Sequence, residues 1–215
     1  MEHGSLRLCK FFQTKGDAFM SSLPETFLTE AEYLAQERRA EHKSQYYRGE
    51  VFAMAGATRR HNLIAMNVGT SLSNQLRERD CEVYPSDMKV KVSPTGLYTY
   101  PDISVTCENP EFVDAVSDVL LNPRLIVEVL PDSTEAYDRG PKFEQYRQLA
   151  SLKDYLLVAQ KRMHAELYAR QASGSWLLTE FRQPEQEIIL ESVGCRIRLA
   201  ELYAKVSLAE SEEST

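Results

Sequence analysis

Apolar residues recur at every fourth position through the second quarter of the chain. Ile64, Val68, Leu72 and Leu76 form one stripe, and that period predicts a helix over about 58–79. His61 stands three residues before Ile64, so it projects from the same face at the first turn. An earlier helix opens at Thr29-Glu30-Ala31-Glu32. There Thr29 caps free backbone N–H groups while Glu32 reaches back, as in a capping box. Leu28 and Tyr33 occupy the two staple positions around it.

Elsewhere the pattern changes to the period of strands. Short runs near 46–47 and 51–54 flank Arg48-Gly49 and predict a hairpin. Residues 83–92, a turn around Ser93-Pro94-Thr95-Gly96, and residues 98–107 predict an antiparallel pair. An acidic, irregular stretch over 108–122 leads into Arg124-Leu-Ile-Val-Glu-Val-Leu130. That run is apolar on both sides of the alternation, as a central strand covered on both faces requires. A polar loop over 131–140 then feeds a helix from about Pro141, where proline suits the first helical position. A strand over 155–159 follows, with hairpin-like strands near 163–169, 176–181 and 187–191, and a short helical segment at 199–206. The order predicts an α/β (α+β) fold: a mixed β-sheet flanked by helices, with extra C-terminal β-hairpins.

The 215 residues suit one domain. Residues 1–19 read as an N-terminal extension outside the fold, 20–206 as the single domain, and 207–215 as an acidic frayed tail. Hydrophobic residues make up 43% and charged residues 27%, so a core of ordinary size can be buried. No apolar run reaches the ~18 to 20 residues of a membrane span. The formal net charge of −7 argues against a protein that coats nucleic acid non-specifically. It leaves room for an enzyme whose cleft gathers acids around a cation. Basic residues cluster at Arg59-Arg60-His61, Lys89 with Lys91, Arg139 with Lys142, and Lys161-Arg162; each reads singly as solvated surface. Trp176, Leu177 and Leu178 read as core or interface. Cys9, Cys81, Cys107 and Cys195 show no zinc-site spacing. Cys107 ends an apolar run and reads as a small buried hydrophobe. A reduced, cytoplasmic setting is expected.

Two acids stand out because their neighbours are apolar. Asp102 sits beside Ile103 and Val105, and Glu128 lies among Ile126, Val127 and Val129. A buried carboxylate is costly unless it is paired or holds a metal. Were the two strands neighbours, their backbones would lie ~4.8 Å apart. Two carboxylates ~4 Å apart repel by about 4 kcal/mol at an effective dielectric of 20. A divalent cation between them removes that conflict, and hard oxygen ligands favour Mg²⁺ or Mn²⁺. The alternative has Glu128 pointing outward or pairing with an arginine, and Asp102 beginning a turn after Pro101. Lys142 aligns with Tyr146 and Leu149 on a helix face that should meet the sheet, within reach of the acids. Otherwise it is an ordinary exposed lysine. His61 is either a residue at the mouth of that cleft or a histidine packed at a helix terminus.

Four ordered segments carry a resemblance. They are Arg48-Gly-Glu-Val-Phe-Ala-Met-Ala-Gly-Ala-Thr58 with His61-Asn62, Tyr100-Pro-Asp-Ile-Ser-Val105, Leu125-Ile-Val-Glu-Val-Leu130, and Ser133-Thr-Glu-Ala-Tyr-Asp-Arg-Gly-Pro-Lys-Phe-Glu-Gln-Tyr-Arg147. From about Met20 to Val206 the chain resembles the Uma-two family of restriction endonucleases, within the PD-(D/E)XK nuclease superfamily. The resemblance implies a restriction-endonuclease-like core and a Mg²⁺- or Mn²⁺-dependent endonuclease (a hydrolase) acting on DNA, working as a homodimer. On matching positions it implies Asp102 and Glu128 as catalytic metal ligands, with Glu50 as a weaker auxiliary ligand. The motif lysine would stand at position 130, where this chain has Leu130. In this family its role falls to the following helix, at Lys142. Relatives often carry glutamate where this chain has Gln45, a second cleft position. These departures keep another reading open: a catalytically weak or inactive nuclease-fold protein that binds nucleic acid, or a regulatory homo-oligomer.

Overall fold

The computed structural model describes residues 27–130 and 135–208. The expected extension over 1–19 and most of the expected tail lie outside the described residues. Thr29 accepts from the Glu32 amide, and the Thr29 amide donates to the Glu32 carboxylate at 2.8 Å, opening α1 (Glu30–Glu37) with the expected box. Arg48 and Gly49 both adopt positive φ. Their left-handed twist turns β1 (Ser44–Tyr47) directly into β2 (Glu50–Ala53). Helix α2 (Arg59–Leu76) is capped by Thr58, and the four residues of its stripe are at most 2% exposed.

Two strands expected as single long ones are each divided. Residues 83–92 form the end of β3 (Cys81–Pro85) and β4 (Lys89–Val92), and residues 98–107 form most of β5 (Leu97–Thr99) and β6 (Ile103–Cys107). The antiparallel pairing holds, but β3 pairs with β6 in one sheet and β4 with β5 in another. The breaks fall beside Pro85 and Pro101. Proline offers no N–H to a ladder, so the chain can change sheets there.

One sheet has the order β2-β1-β5-β4-β7, with β7 (Val119–Leu120) parallel to β4. The other joins β8 (Leu125–Leu130), β9 (Asp154–Ala159), β10 (Ala165–Arg170) and β11 (Trp176–Phe181) to β6 and β3, in the order β11-β10-β9-β8-β6-β3. Only β8 and β9 run parallel in it. A hairpin of β12 (Glu187–Leu190) and β13 (Cys195–Arg198) leads to α5 (Leu199–Leu202). The strand over 195–198 was not expected, although its apolar and polar residues alternate with its burial.

Every residue of β8 is buried, as a doubly covered central strand demands. Val127 and Val129 pack with the α2 stripe and the C-terminal hairpin. Ile126 and Leu130 pack on the opposite face with Phe143, Tyr146, Leu149 and Leu152. Glu128 belongs to that second face by alternation.

The helix over that face begins earlier than expected. It runs through α3 (Glu135–Tyr137), a π turn (Asp138–Lys142) and α4 (Phe143–Tyr146), with Pro141 inside the π turn rather than at a helix start. A proline cannot donate to an i−4 carbonyl, and the wider i−5 turn accommodates that missing bond. Among the described residues no helix is long and apolar enough to cross a membrane.

Cys107 is not the isolated small hydrophobe expected. It sits directly opposite Cys81 across β3 and β6, and the two are joined in a disulfide. Leu177 and Leu178 lie exposed on β11, an edge strand.

Candidate active site

Strands β6 and β8 are antiparallel neighbours, with Ile103 opposite Val127 and Ser104 opposite Ile126. The paired register ends one residue short of Asp102, which is close enough for its charge to act on the Glu128 carboxyl. Asp102 is not inside a strand, as its apolar neighbours suggested. It stands at the joint after Pro101, just before β6 begins. There Asp102 Oδ2 accepts the Val129 amide at 2.7 Å, and Oδ1 lies 3.0 Å from His61 Nε2. His61 therefore reaches Asp102 from the first turn of α2. Its Nδ1 is buried without a hydrogen-bond partner.

Glu128 is 4% exposed. Its Oε1 accepts from Lys142 Nζ at 2.7 Å and from the Tyr146 hydroxyl at 2.9 Å. Lys142 also lies 3.2 Å from Asp138 Oδ1. The lysine is thus buried under the helix and directed at the sheet, not exposed. Burial above all, with Asp102 and Asp138 and against the opposing Lys142 ammonium, pushes the Glu128 carboxyl up to about 8. Burial draws Lys142 down, but Glu128 and then Asp138 outweigh it and hold the ammonium well above the ordinary lysine value. Lys142 is accordingly a charged donor at neutral pH and cannot accept a proton.

The remaining expected residues stand further out. Gln45 is buried and accepts from Thr99 Oγ1 at 3.4 Å, while its amide donates to Tyr137 at 3.4 Å. That brings it to the helix bearing Lys142. Glu50 is exposed at the turn end of the β1–β2 hairpin, opposite Tyr47. Among the described residues, no hydrogen bond or ion pair joins it to Asp102 or Glu128. Leu130, at the position of the motif lysine, is 2% exposed within the apolar face and offers no charge.

Sequence reasoning missed Asp138 and Tyr146 as partners of the site. Asp138 lay in a stretch taken for loop, four residues before Lys142. The Tyr146 hydroxyl was hidden by its role as an apolar face marker.

The chemistry available here is limited and specific. Asp102 and Glu128 supply hard oxygen donors, which suit Mg²⁺ or Mn²⁺. Among the described residues no third histidine, cysteine or acid converges with this pair as tightly as the group at His164, Glu166 and Glu180 does. One or two carboxylates plus water and phosphate oxygens are, however, the usual complement of a Mg²⁺ site. The donor set fits that ion.

Fold and acid pair together define an α+β protein of restriction-endonuclease-like fold. The chain belongs to the Uma2 family, described as "Putative restriction endonuclease", whose model matches residues 30–200. It is similar to the uncharacterized protein slr1290 of Synechocystis sp., 37% identical over 186 residues, covering 86% of this chain and 96% of that protein. The uncharacterized protein sll1609 of the same organism is 37% identical over 161 residues, 75% of this chain and 91% of that protein. The crystal structure of a "putative nuclease belonging to DUF820" from Anabaena variabilis matches with a TM-score of 0.66, covering 82% of this chain and 98% of that one. At 14% identity that likeness speaks for the fold.

Proposed function

We propose that this nuclease-family protein is a metal-dependent endonuclease hydrolysing DNA phosphodiester bonds at the Asp102–Glu128 corner. The observation that supports the reading is Glu128, buried against Lys142 and close enough to Asp102 to feel its charge. Asp102 and Glu128 would hold a Mg²⁺ or Mn²⁺ ion. When bound, that ion supplies Lewis-acid polarisation of the phosphate and lowers the pKa of a bound water.

The chain's own groups account for the rest. Asp102 is held in place by the Val129 amide and His61, so its carboxylate is oriented before any ligand arrives. Tyr146 fixes Glu128 in the same way. Lys142 keeps its proton and offers positive charge to a phosphate oxygen as negative charge develops. Tight packing beneath the acids excludes water from below, which strengthens each of these interactions.

Incubation of supercoiled plasmid with the purified protein and Mg²⁺ or Mn²⁺ tests the reading. Wild type is expected to nick or linearise the plasmid, and chelator or Asp102→Ala to abolish cleavage. Identical traces for wild type and Asp102→Ala would remove the catalytic claim.

Gln45 and Leu130 favour a second reading, in which the fold binds nucleic acid with a weakened or inactive site. Its signature is salt-sensitive DNA binding with no metal-dependent heat in calorimetry. A homodimer would present two such corners to a duplex, and sedimentation at working concentration reads that arrangement directly.

A further inference from the structure

Glu166 and Glu180 face one another from directly opposed positions on β10 and β11. Like charges placed so destabilise a sheet unless something holds them. His164 lies two residues before Glu166 and so on the same side of the chain. Its Nε2 is 3.1 Å from Glu180 Oε1 and 3.7 Å from Glu166 Oε1. One ligand atom from each of the three lies within 4.8 Å of the other two.

We propose that His164, Glu166 and Glu180 form a second divalent-cation site, selective for Zn²⁺ over Mg²⁺. Imidazole suits zinc, whereas Mg²⁺ prefers oxygen throughout. Three protein ligands leave a coordination position for water, the pattern of an open zinc site.

The surroundings match that use. His164 is 2% exposed, and its ring is directed at both acids through Nε2. Glu166 is 6% exposed and is held on both oxygens by Arg139, through Nε at 3.1 Å to each and Nη2 at 2.7 Å to Oε1. A carboxylate has about four lone-pair sites, so this clamp orients Glu166 and still leaves room for a cation. Glu180 is the accessible side of the triangle. Its pair with Arg182 is half-exposed on both partners, the kind of surface contact a cation displaces. An open groove lined also by Ala136, Arg162 and Arg182 gives entry.

The site is separate from the first but lies in register with it. Glu166 pairs with Leu157 on β9, and Leu157 pairs with Glu128 on β8. Glu180, Glu166, Leu157 and Glu128 thus form one transverse row across the sheet. Two strand spacings put Glu166 about 10 Å from Glu128. The inference stands whether or not the first site cuts DNA.

Titration of the full chain with Zn²⁺ by calorimetry tests it, using wild type, His164→Ala, Glu180→Gln and His61→Ala. Wild type and His61→Ala are expected to bind a Zn²⁺ equivalent that His164→Ala lacks. Glu180→Gln, a conservative change at a half-exposed position, should hold that equivalent at least about tenfold more weakly. Co²⁺ in place of Zn²⁺ should give a visible absorption band in wild type that His164→Ala loses. Superimposable Zn²⁺ isotherms for wild type and Glu180→Gln would overturn the site. So would an equivalent that His61→Ala loses and His164→Ala keeps, since that ion would sit at Asp102.

Discussion

Lys142 Nζ lies 2.7 Å from Glu128 Oε1, and both side chains are more than nine-tenths buried. The Lys142 ammonium is tolerable at that depth because Glu128 and Asp138 face it. Removing one partner of a buried pair costs about 3–5 kcal/mol, because the survivor keeps an uncompensated charge. Lys142→Met is therefore expected to lower stability by that order in urea unfolding. The double variant Lys142→Met/Glu128→Gln should lose clearly less than the sum of the two single changes. Additive losses would mean that the pair is not coupled.

Glu128 also predicts a pH dependence for the protein without metal. Its carboxyl is pushed up to about 8 in the fold, above the ordinary 4.5. A raised pKa contributes stability that is complete below about 4.5 and is lost as pH rises through about 8. Melting temperature should therefore fall between pH 5 and pH 9 more steeply in wild type than in Glu128→Gln. Parallel profiles would show that another group sets the slope.

His61 acts on the site through Asp102, at 3.0 Å from Oδ1. Loss of a group that orients a metal-binding carboxylate typically costs 10–100-fold in affinity or activity. His61→Ala is expected to lower Mg²⁺-dependent cleavage by that factor. Because the change removes an orienting contact, part of the loss should return at high Mg²⁺. Unchanged cleavage would assign His61 to packing alone.

Helix α2 carries His61, so its seating on the sheet matters to the site. Ile64 and Leu72 are fully buried in the core beneath it. Leu72→Ala should cost about 2–5 kcal/mol through lost burial and a residual cavity. Thermal melting checks this directly, and a loss under about 1 kcal/mol would mean that the stripe is loosely packed.

The elements legible in the sequence were those whose signal is local. The Thr29 box, the Arg48-Gly49 turn and the α2 stripe each depend on residues within a few positions of one another. The joint at Pro101-Asp102 was not legible, because alternation runs through both strands and is blind to a change of sheet. Pro141 pointed to a helix start because proline usually marks one; the π turn that admits it depends on packing over β8. Asp102, Glu128 and Lys142 could each be marked as chemistry-bearing from the sequence. The meeting of Glu128 with Lys142 and Tyr146, of Lys142 with Asp138, and of Asp102 with His61 follows from strand register and helix placement. The group at His164, Glu166 and Glu180 joins residues on two strands that no spacing rule connects. Likewise, Cys81 and Cys107 meet only because β3 and β6 pair in that register.

Single-turnover cleavage of a labelled DNA duplex across a Mg²⁺ titration, for wild type and Asp102→Asn in parallel, tests the central claim most directly. The account predicts saturable Mg²⁺ dependence in wild type. Asp102→Asn should cut at least about 100-fold more slowly, with its Mg²⁺ midpoint moved to higher concentration. Cleavage that persists in chelator, or equal rates and midpoints for the two proteins, would contradict it.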